Sequence, residues 1–253
     1  IKQLDTAKGG IDYMNRSKVY AKSLSQTLQH IYEDVNVPNE VKNFFRGGIL
    51  HGIGKKMDVY GVIYPRPVTN GNGYTKGIDG AKMTGMIEEL RPKFGGTQLG
   101  VCTPGGTDVF VHTSRVNRQL HPGLTTSKSD FKNAFNTQSR RAIQDGIKEF
   151  APMSSTYADS ILKAETKLTY GGMEQGIEYV MNAEGVQQGA SPSSGLFCSS
   201  IHRPLLKLKD ISKKHAPIGG DSKAFCDDIK AISTNIGIAE GIQMLQECDK
   251  KGQ

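Results

Sequence analysis

The sequence predicts an α+β fold. Three observations carry this reading. Several stretches repeat apolar residues at helical spacing, only a few short runs read as strands, and the two kinds do not alternate as βαβ units. At 253 residues the chain is long enough for one large domain, or a domain with a small subdomain, around a real core.

The elements follow in order. Asn15 to Asp34 places Val19, Leu24, Leu28 and Tyr32 on one helical face. Pro38 opens a second helix that stops at Gly47-Gly48. Val59 to Tyr64 is a β-branched and aromatic run closed by Pro65, which predicts a strand. Asn70 to Gly73 reads as a turn, and Asp79 to Lys93 as a helix. After the glycine-rich stretch Gly95 to Gly106, Thr107 or Asp108 caps a helix to about Leu120. Thr125 to Phe131 is a predicted strand, Asn136 to Phe150 a helix, and Thr156 to Leu168 another. Ile177 to Asn182 is a short strand. Ser193 to Asp210 is an apolar helix with an expected bend or break at Pro204. Ser222 to Ile232 divides at Asp227-Asp228 into two strands, and Ile236 to Cys248 is a last amphipathic helix.

Composition excludes several classes. No run approaches the ~18 apolar residues of a membrane span. Ile1 to Gly10 is polar, without the apolar core of a secretion signal, and an opening at Ile1 reads as a processed product or an excerpt. The thirty glycines show no repeat, so they predict turns and close approaches rather than a fibre. Cys102, Cys198, Cys226 and Cys248 include no C-x-x-C pair, which points to free thiols in a reducing, intracellular compartment; nucleus, cytoplasm and organelle stay open. The six histidines form no H-x-H or H-E-x-x-H pattern.

The net charge of +7 is uneven: residues 1–150 hold 21 Lys and Arg against 13 Asp and Glu. Such asymmetry suits a face that meets a polyanion, or simply a basic solvated surface. The glycine-rich stretches are poor cofactor loops. Gly71-Asn72-Gly73 with Gly77 is not G-x-G-x-x-G, Gly52-Ile53-Gly54-Lys55 lacks the Walker spacing, and Ser191-Pro192-Ser193-Ser194-Gly195 lacks the first glycine of a nucleophile elbow.

The carboxylates say more. Asp227 and Asp228 are adjacent, and adjacent aspartates repel unless a cation or base offsets them. A strand–Asp-Asp–strand hairpin sets both at a tight turn. Asp130 ends another predicted strand, and two strands side by side would bring all three together, as two-metal phosphoryl transfer requires. Alone, the pair reads equally as a solvated turn.

Five segments, in order, resemble motifs of reverse transcriptases of the non-LTR retrotransposon type. Asp130-Phe131-Lys132-Asn133-Ala134-Phe135-Asn136 resembles their first catalytic motif. Glu184-Gly185-Val186-Gln187-Gln188-Gly189, continuing to Gly195-Leu196-Phe197, resembles their second. Phe225-Cys226-Asp227-Asp228 resembles the aromatic-x-Asp-Asp hairpin. Gln98-Leu99-Gly100-Val101 with Pro104-Gly105-Gly106, and Arg66-Pro67-Val68, are similar to upstream segments. The matches span roughly Pro38 to Gly252.

The resemblance implies a right-hand polymerase fold: an N-terminal helical extension over 1–37, fingers over 38–122, and a palm over 123–253 with a small antiparallel sheet backed by helices. It implies two Mg²⁺ or Mn²⁺ ions held by Asp130, Asp227 and the Phe131 carbonyl, with Asp228 assisting. Phe135 would be the aromatic gate against a ribose 2′-hydroxyl, Gln188 and Gly189 would pack on nucleotide and template, and Arg66 with Lys55 or Lys56 would clamp the triphosphate. The implied partner is RNA or an RNA/DNA duplex.

The chain departs from the pattern in three places, the first being that the segment after Arg66-Pro67 lacks the expected run of basic residues. The second motif continues Ala190-Ser191-Pro192 in place of the usual Asp-Pro-Leu, and the sequence ends at Gln253 where the family continues into a thumb. Two functions therefore stand side by side: RNA-templated DNA synthesis by a retroelement-type domain, or a domesticated, catalytically idle relative serving as a structural or RNA-binding subunit of a larger assembly. RNA-templated RNA synthesis on the same palm is a third reading, which Phe135 disfavours.

Overall fold

A computed structural model describes residues 23, 26–31, 34, 36–57, 59–131, 133–163, 165–172 and 176–252. Most of the helix expected over Asn15 to Asp34 lies outside them; 26–31 are helical. The described chain is a mixed α and β structure in two compact units, both discontinuous in sequence. One comprises 1–84 and 156–193, the other 85–155 and 194–253. The boundary expected near residue 122 falls inside the second unit.

The first unit holds α1 (Asn39–Arg46), β1 (Gly48–Met57), β2 (Ile63–Gly71), the start of α2 (Gly73–Phe94), α6 (Ser155–Leu162), β4 (Thr166–Gly172) and β5 (Gly176–Asn182). Its sheet runs β2-β1-β4-β5. The strand expected at Val59 to Tyr64 begins later, at Ile63, and continues through Pro65 and Pro67. Both prolines are tolerated because β2 is an edge strand. They stand opposite Gly54 and Gly52 of β1. A Cβ on Gly52 would lie 3.1 Å from the Pro65 Cβ, so glycine makes room for the ring. This is why β1 is glycine-rich, and why it reads as a stop rather than a strand.

Asn72 ends the expected turn by capping α2, its Oδ1 accepting from Thr75 N at 2.8 Å. The helix therefore starts at Gly73, six residues before the expected Asp79. The helix expected over Thr156 to Leu168 ends at Leu162, because Thr166 and Leu168 enter β4 and are buried.

Asp79 of α2 is buried, and the Tyr157 hydroxyl of α6 donates to its Oδ1 at 2.6 Å. Burial pushes its carboxyl up from 3.8 to about 6, against the opposing pull of that hydrogen bond. A raised carboxyl holds its proton more tightly when folded. Its contribution is therefore intact below pH ~4 and is lost as pH rises through about 6, by roughly 3 kcal/mol. Asp79→Asn is expected to come close to the wild type at pH 4 and exceed it by about 3 kcal/mol at pH 7.5. Urea unfolding at both pH values checks this; equal stability at pH 7.5 would refute it.

The second unit holds the rest of α2, α3 (Gly106–Leu120), β3 (Thr125–Ser129), α4 (Ala134–Thr137), α5 (Arg140–Phe150), most of α7 (Ser193–His215), β6 (Asp221–Phe225), β7 (Asp228–Ser233) and α8 (Asn235–Gly252). Gly105, in the left-handed conformation, precedes α3; neither Thr107 nor Asp108 caps it. The helix expected over Asn136 to Phe150 is two pieces, because Ser139 caps α5 by accepting from Ala142 N. Pro204 does not break α7, which runs on to His215.

The sheet order is β3-β7-β6, all antiparallel. Alternation puts Ala224, Ile229 and Ala231 on one face, where Leu205 and Leu208 of α7 and Ile238 of α8 close a core. The opposite face meets α3, with Phe110 and Phe225 rings 6.4 Å apart. Helices α5 and α7 cross at Gly146 and Ser199. His202 is wholly buried between Phe94 and Phe150, 4.4 and 4.9 Å from their ring centres. Its Nε2 lies 3.2 Å from the Lys93 carbonyl, and burial lowers its pKa, so it is a neutral core histidine. Among the described residues no helix is long and apolar enough to cross a membrane.

Candidate active site

The register of the second sheet assembles the carboxylates. Ser129 pairs with Ile229 at the end of β3, so Asp130 follows directly at the edge where β7 begins with Asp228. On the other side Phe225 pairs with Asp228, leaving Cys226 and Asp227 as the two-residue turn of the β6–β7 hairpin. Cys226 takes the left-handed conformation, φ 52°, that such turns require. Asp130, Asp227 and Asp228 thus gather at one end of one sheet. Asp130 is exposed, and the other two are half-buried.

The predicted strand to Phe131 ends two residues early, at Ser129. This frees Asp130 and Phe131 from the ladder, and the Phe131 side chain packs against the core behind the sheet. Phe135, on α4, is half-buried and stacks on Phe197, with ring centres 4.8 Å apart and planes at 24°.

Sequence reasoning missed Lys128. Two positions before Asp130, it shares that residue's face of the strand, a period-2 signal the sequence already carries. Its Nζ lies 2.8 Å from Asp228 Oδ1 across the ladder, in an exposed pair. The hydrogen bond to Asp228 raises the Lys128 pKa, with the charges of Asp228, Asp130 and Asp227 adding to it. The Lys128 ammonium therefore lies in the field of all three carboxylates. The same sheet face carries Lys230, whose ammonium lies 4.3 Å from the centre of the Phe110 ring. Beside it, Arg115 and Arg118 of α3 and Thr126 of β3 line a groove of about 400 Å³.

Among the described residues no three His, Cys, Asp or Glu side chains stand as a ready metal cage. The donors at the sheet end are carboxylate oxygens, open to water. That matches Mg²⁺, which takes one or two protein carboxylates and completes its shell with water and substrate phosphates. All four cysteines are free thiols.

The remaining predicted site residues belong to the first unit. Arg66 is exposed on β2, opposite Ile53. Lys55 and Lys56 lie on β1; their side chains are outside the described set. The Gln188 carbonyl accepts from Thr69 N at 2.7 Å. Gly189 has φ 99°, and a Cβ there would lie 2.6 Å from the Thr69 carbonyl oxygen. Ser193 Oγ donates to the Gln187 carbonyl at 2.6 Å, closing the loop onto the start of α7. The altered residues Ala190 to Pro192 thus sit in a loop bonded to β2 at one end and to a helix cap at the other.

The fold is like that of known telomerase structures. The chain is similar in structure to the telomerase of Candida tropicalis truncated from its C-terminal domain, with a TM-score of 0.52 at 14% identity over 89% of this chain and 50% of that one. It is also similar to Candida tropicalis telomerase in complex with a TWJ fragment of telomeric RNA, at 0.56 and 13% over 82% of this chain and 39% of that one. Candida albicans telomerase in the corresponding complex gives 0.54 and 12% over 89% and 44%. The chain spans half or less of the length of these proteins. No protein-family model matches it, and no curated protein does.

Proposed function

We propose that this chain is the nucleotide-polymerising part of a reverse transcriptase of the non-LTR retrotransposon type, catalysing RNA-templated DNA synthesis. The observation that carries the reading is the register that gathers Asp130, Asp227 and Asp228 at one sheet end, in a fold similar to telomerases. Asp130 and Asp227 are assigned to two Mg²⁺ or Mn²⁺ ions, with the Phe131 carbonyl completing one shell. When bound, the metals supply activation of the primer 3′-hydroxyl and neutralisation of the leaving pyrophosphate. Asp228 assists through its bond to Lys128. In the first unit, Arg66, Lys55 and Lys56 are assigned to the triphosphate, and Gln188 and Gly189 to the nucleotide and template. The groove at Arg115, Arg118 and Lys230 suits the phosphates of an RNA or RNA/DNA partner.

The test is extension of a DNA primer on an RNA template. Incorporation with Mg²⁺ or Mn²⁺ that stops on chelation and returns on readdition is the expected result; metal-independent or untemplated incorporation would overturn it. Phe135, held by its stack on Phe197, is assigned to exclude the 2′-hydroxyl. Phe135→Ala is expected to narrow the preference for deoxyribonucleotides over ribonucleotides by about 10- to 100-fold. Competition between the two nucleotide types measures this, and an unchanged ratio removes the gate assignment.

A second reading is favoured by one observation: Lys128 already pairs with Asp228. The chain would then be an idle, RNA-binding or structural subunit of a larger assembly. Absence of incorporation together with retained binding of the RNA template would select it.

A further inference from the structure

We infer that Gln98 is a positioning residue that fixes the turn carrying Asp227, an inference that rests on the assignment of Asp227 to the metals. Segment Thr97 to Gly100 lies parallel to β6, extending the sheet beyond its edge. Leu99 N donates to the Ala224 carbonyl at 2.7 Å, and Ala224 N donates to the Thr97 carbonyl at 2.8 Å. Gln98, wholly buried, reaches past this bridge to the hairpin turn. Its Oε1 accepts from Cys226 N at 2.9 Å, and its Nε2 donates to the Cys226 carbonyl at 3.3 Å. Oε1 also accepts from Gly100 N at 3.1 Å, which fixes the amide's own orientation.

The peptide groups of a two-residue turn have no place in the ladder of their own hairpin. Buried polar groups without partners are strongly disfavoured. Gln98 satisfies both main-chain groups of Cys226 with one planar amide, as a strand would. The bonds hold a residue whose left-handed backbone is unfavourable for any side chain with a Cβ. Gly100 permits this closeness: a Cβ there would lie 2.5 Å from both Cys226 N and Sγ. The Cys226 thiol lies beside that of Cys198 of α7. Cys226 is therefore clamped through both its main-chain groups, and Asp227 follows it by one peptide bond. Freedom at Cys226 is freedom in the direction of the Asp227 carboxylate. Outer groups that orient metal ligands typically change metal affinity or activity 10- to 100-fold when removed.

The experiment is residue-resolved amide hydrogen exchange with Mn²⁺ titration on the full chain. In the wild type, the Cys226 amide is expected to exchange as slowly as core ladder amides although it stands in a turn; exchange at the rate of an open turn overturns the inference without any variant. Gln98→Met, close in shape but without the amide, is expected to speed exchange at Cys226 and Asp227 by at least about 10-fold and to leave α7 unchanged. Gln98→Glu keeps the acceptor and should keep Cys226 slow. Mn²⁺ affinity is expected to fall about 10-fold in Gln98→Met. Uniformly faster exchange across the unit would make Gln98 an ordinary core residue and overturn its positioning role. If the wild type binds no Mn²⁺, the metal assignment fails, while the exchange pattern still decides whether Gln98 holds the turn.

Discussion

Replacing Asp227 by Asn is expected to lower templated incorporation by at least about 10³-fold, and to move the unfolding midpoint by no more than about 2 °C. The activity estimate follows from losing about 4 kcal/mol of metal-borne charge stabilisation, at 1.36 kcal/mol per tenfold. Asparagine keeps the shape and one oxygen but removes the charge assigned to a divalent ion. The stability estimate follows from position. Asp227 lies in a half-exposed turn whose backbone is fixed from its neighbour, and substitutions at such places usually stay within about 0.5 kcal/mol. Asp228→Asn is expected to cost activity less, because Asp228 already pairs with Lys128 and is assigned only an assisting role. Single-turnover extension by the two variants, alongside thermal unfolding, gives the comparison. Equal losses would place Asp228 on the metal beside Asp227. A fully active Asp227→Asn would remove the metal site altogether.

The second large effect concerns the framework. Gly146→Ala on α5 is expected to destabilise the protein by about 2 kcal/mol or more, lowering the midpoint by roughly 6 °C. Helix propensity argues the other way, since alanine gains about 1 kcal/mol over glycine in a helix interior. The contact decides. A Cβ at Gly146 would lie 2.6 Å from the Ser199 carbonyl carbon and 2.9 Å from Ser200 N, both backbone atoms of α7. Backbone cannot rotate away as a side-chain tip can, so the two helices must separate. Separation would loosen Ile143, Ile147 and Phe197, all wholly or almost wholly buried at the base of the unit. Urea unfolding of Gly146→Ala checks the sign: a gain in stability would show that the crossing has slack.

Several helices and the β6–β7 hairpin were legible because their signals are local. Ile143, Ile147 and Phe150 repeat at helical spacing and are buried as that spacing predicts. Phe225 and Asp228 flank a turn and pair across it. In the first sheet β5 was legible as the run Ile177 to Asn182, but β1 and most of β2 were not, because they form through glycines facing prolines, residues that separately argue against a strand. The helix reading over Thr156 to Leu168 failed for a related reason: the apolar residues of β4 continue the helical spacing of α6. Within the site, Asp130, Asp227 and Asp228 were visible in pattern and Lys128 was visible in principle. Gln98 was not, because its partner lies 128 residues away, and no local rule assigns a buried glutamine to a distant turn.

The strand order has a consequence for synthesis of the chain. Among the described residues strand β3 pairs with β7 alone, and Ser129 meets Ile229 a hundred positions later. On the ribosome, β3 leaves the exit tunnel long before its partner is translated. During that interval, at about 5 to 20 residues per second, both its edges stay open for several seconds. The strand is short and carries Lys128 among serines and threonines, a composition that resists premature pairing with other chains. The acidic sheet end is therefore among the last parts of the second unit to come together. A nascent chain stalled before β7 would carry Asp130 without Asp227 or Asp228.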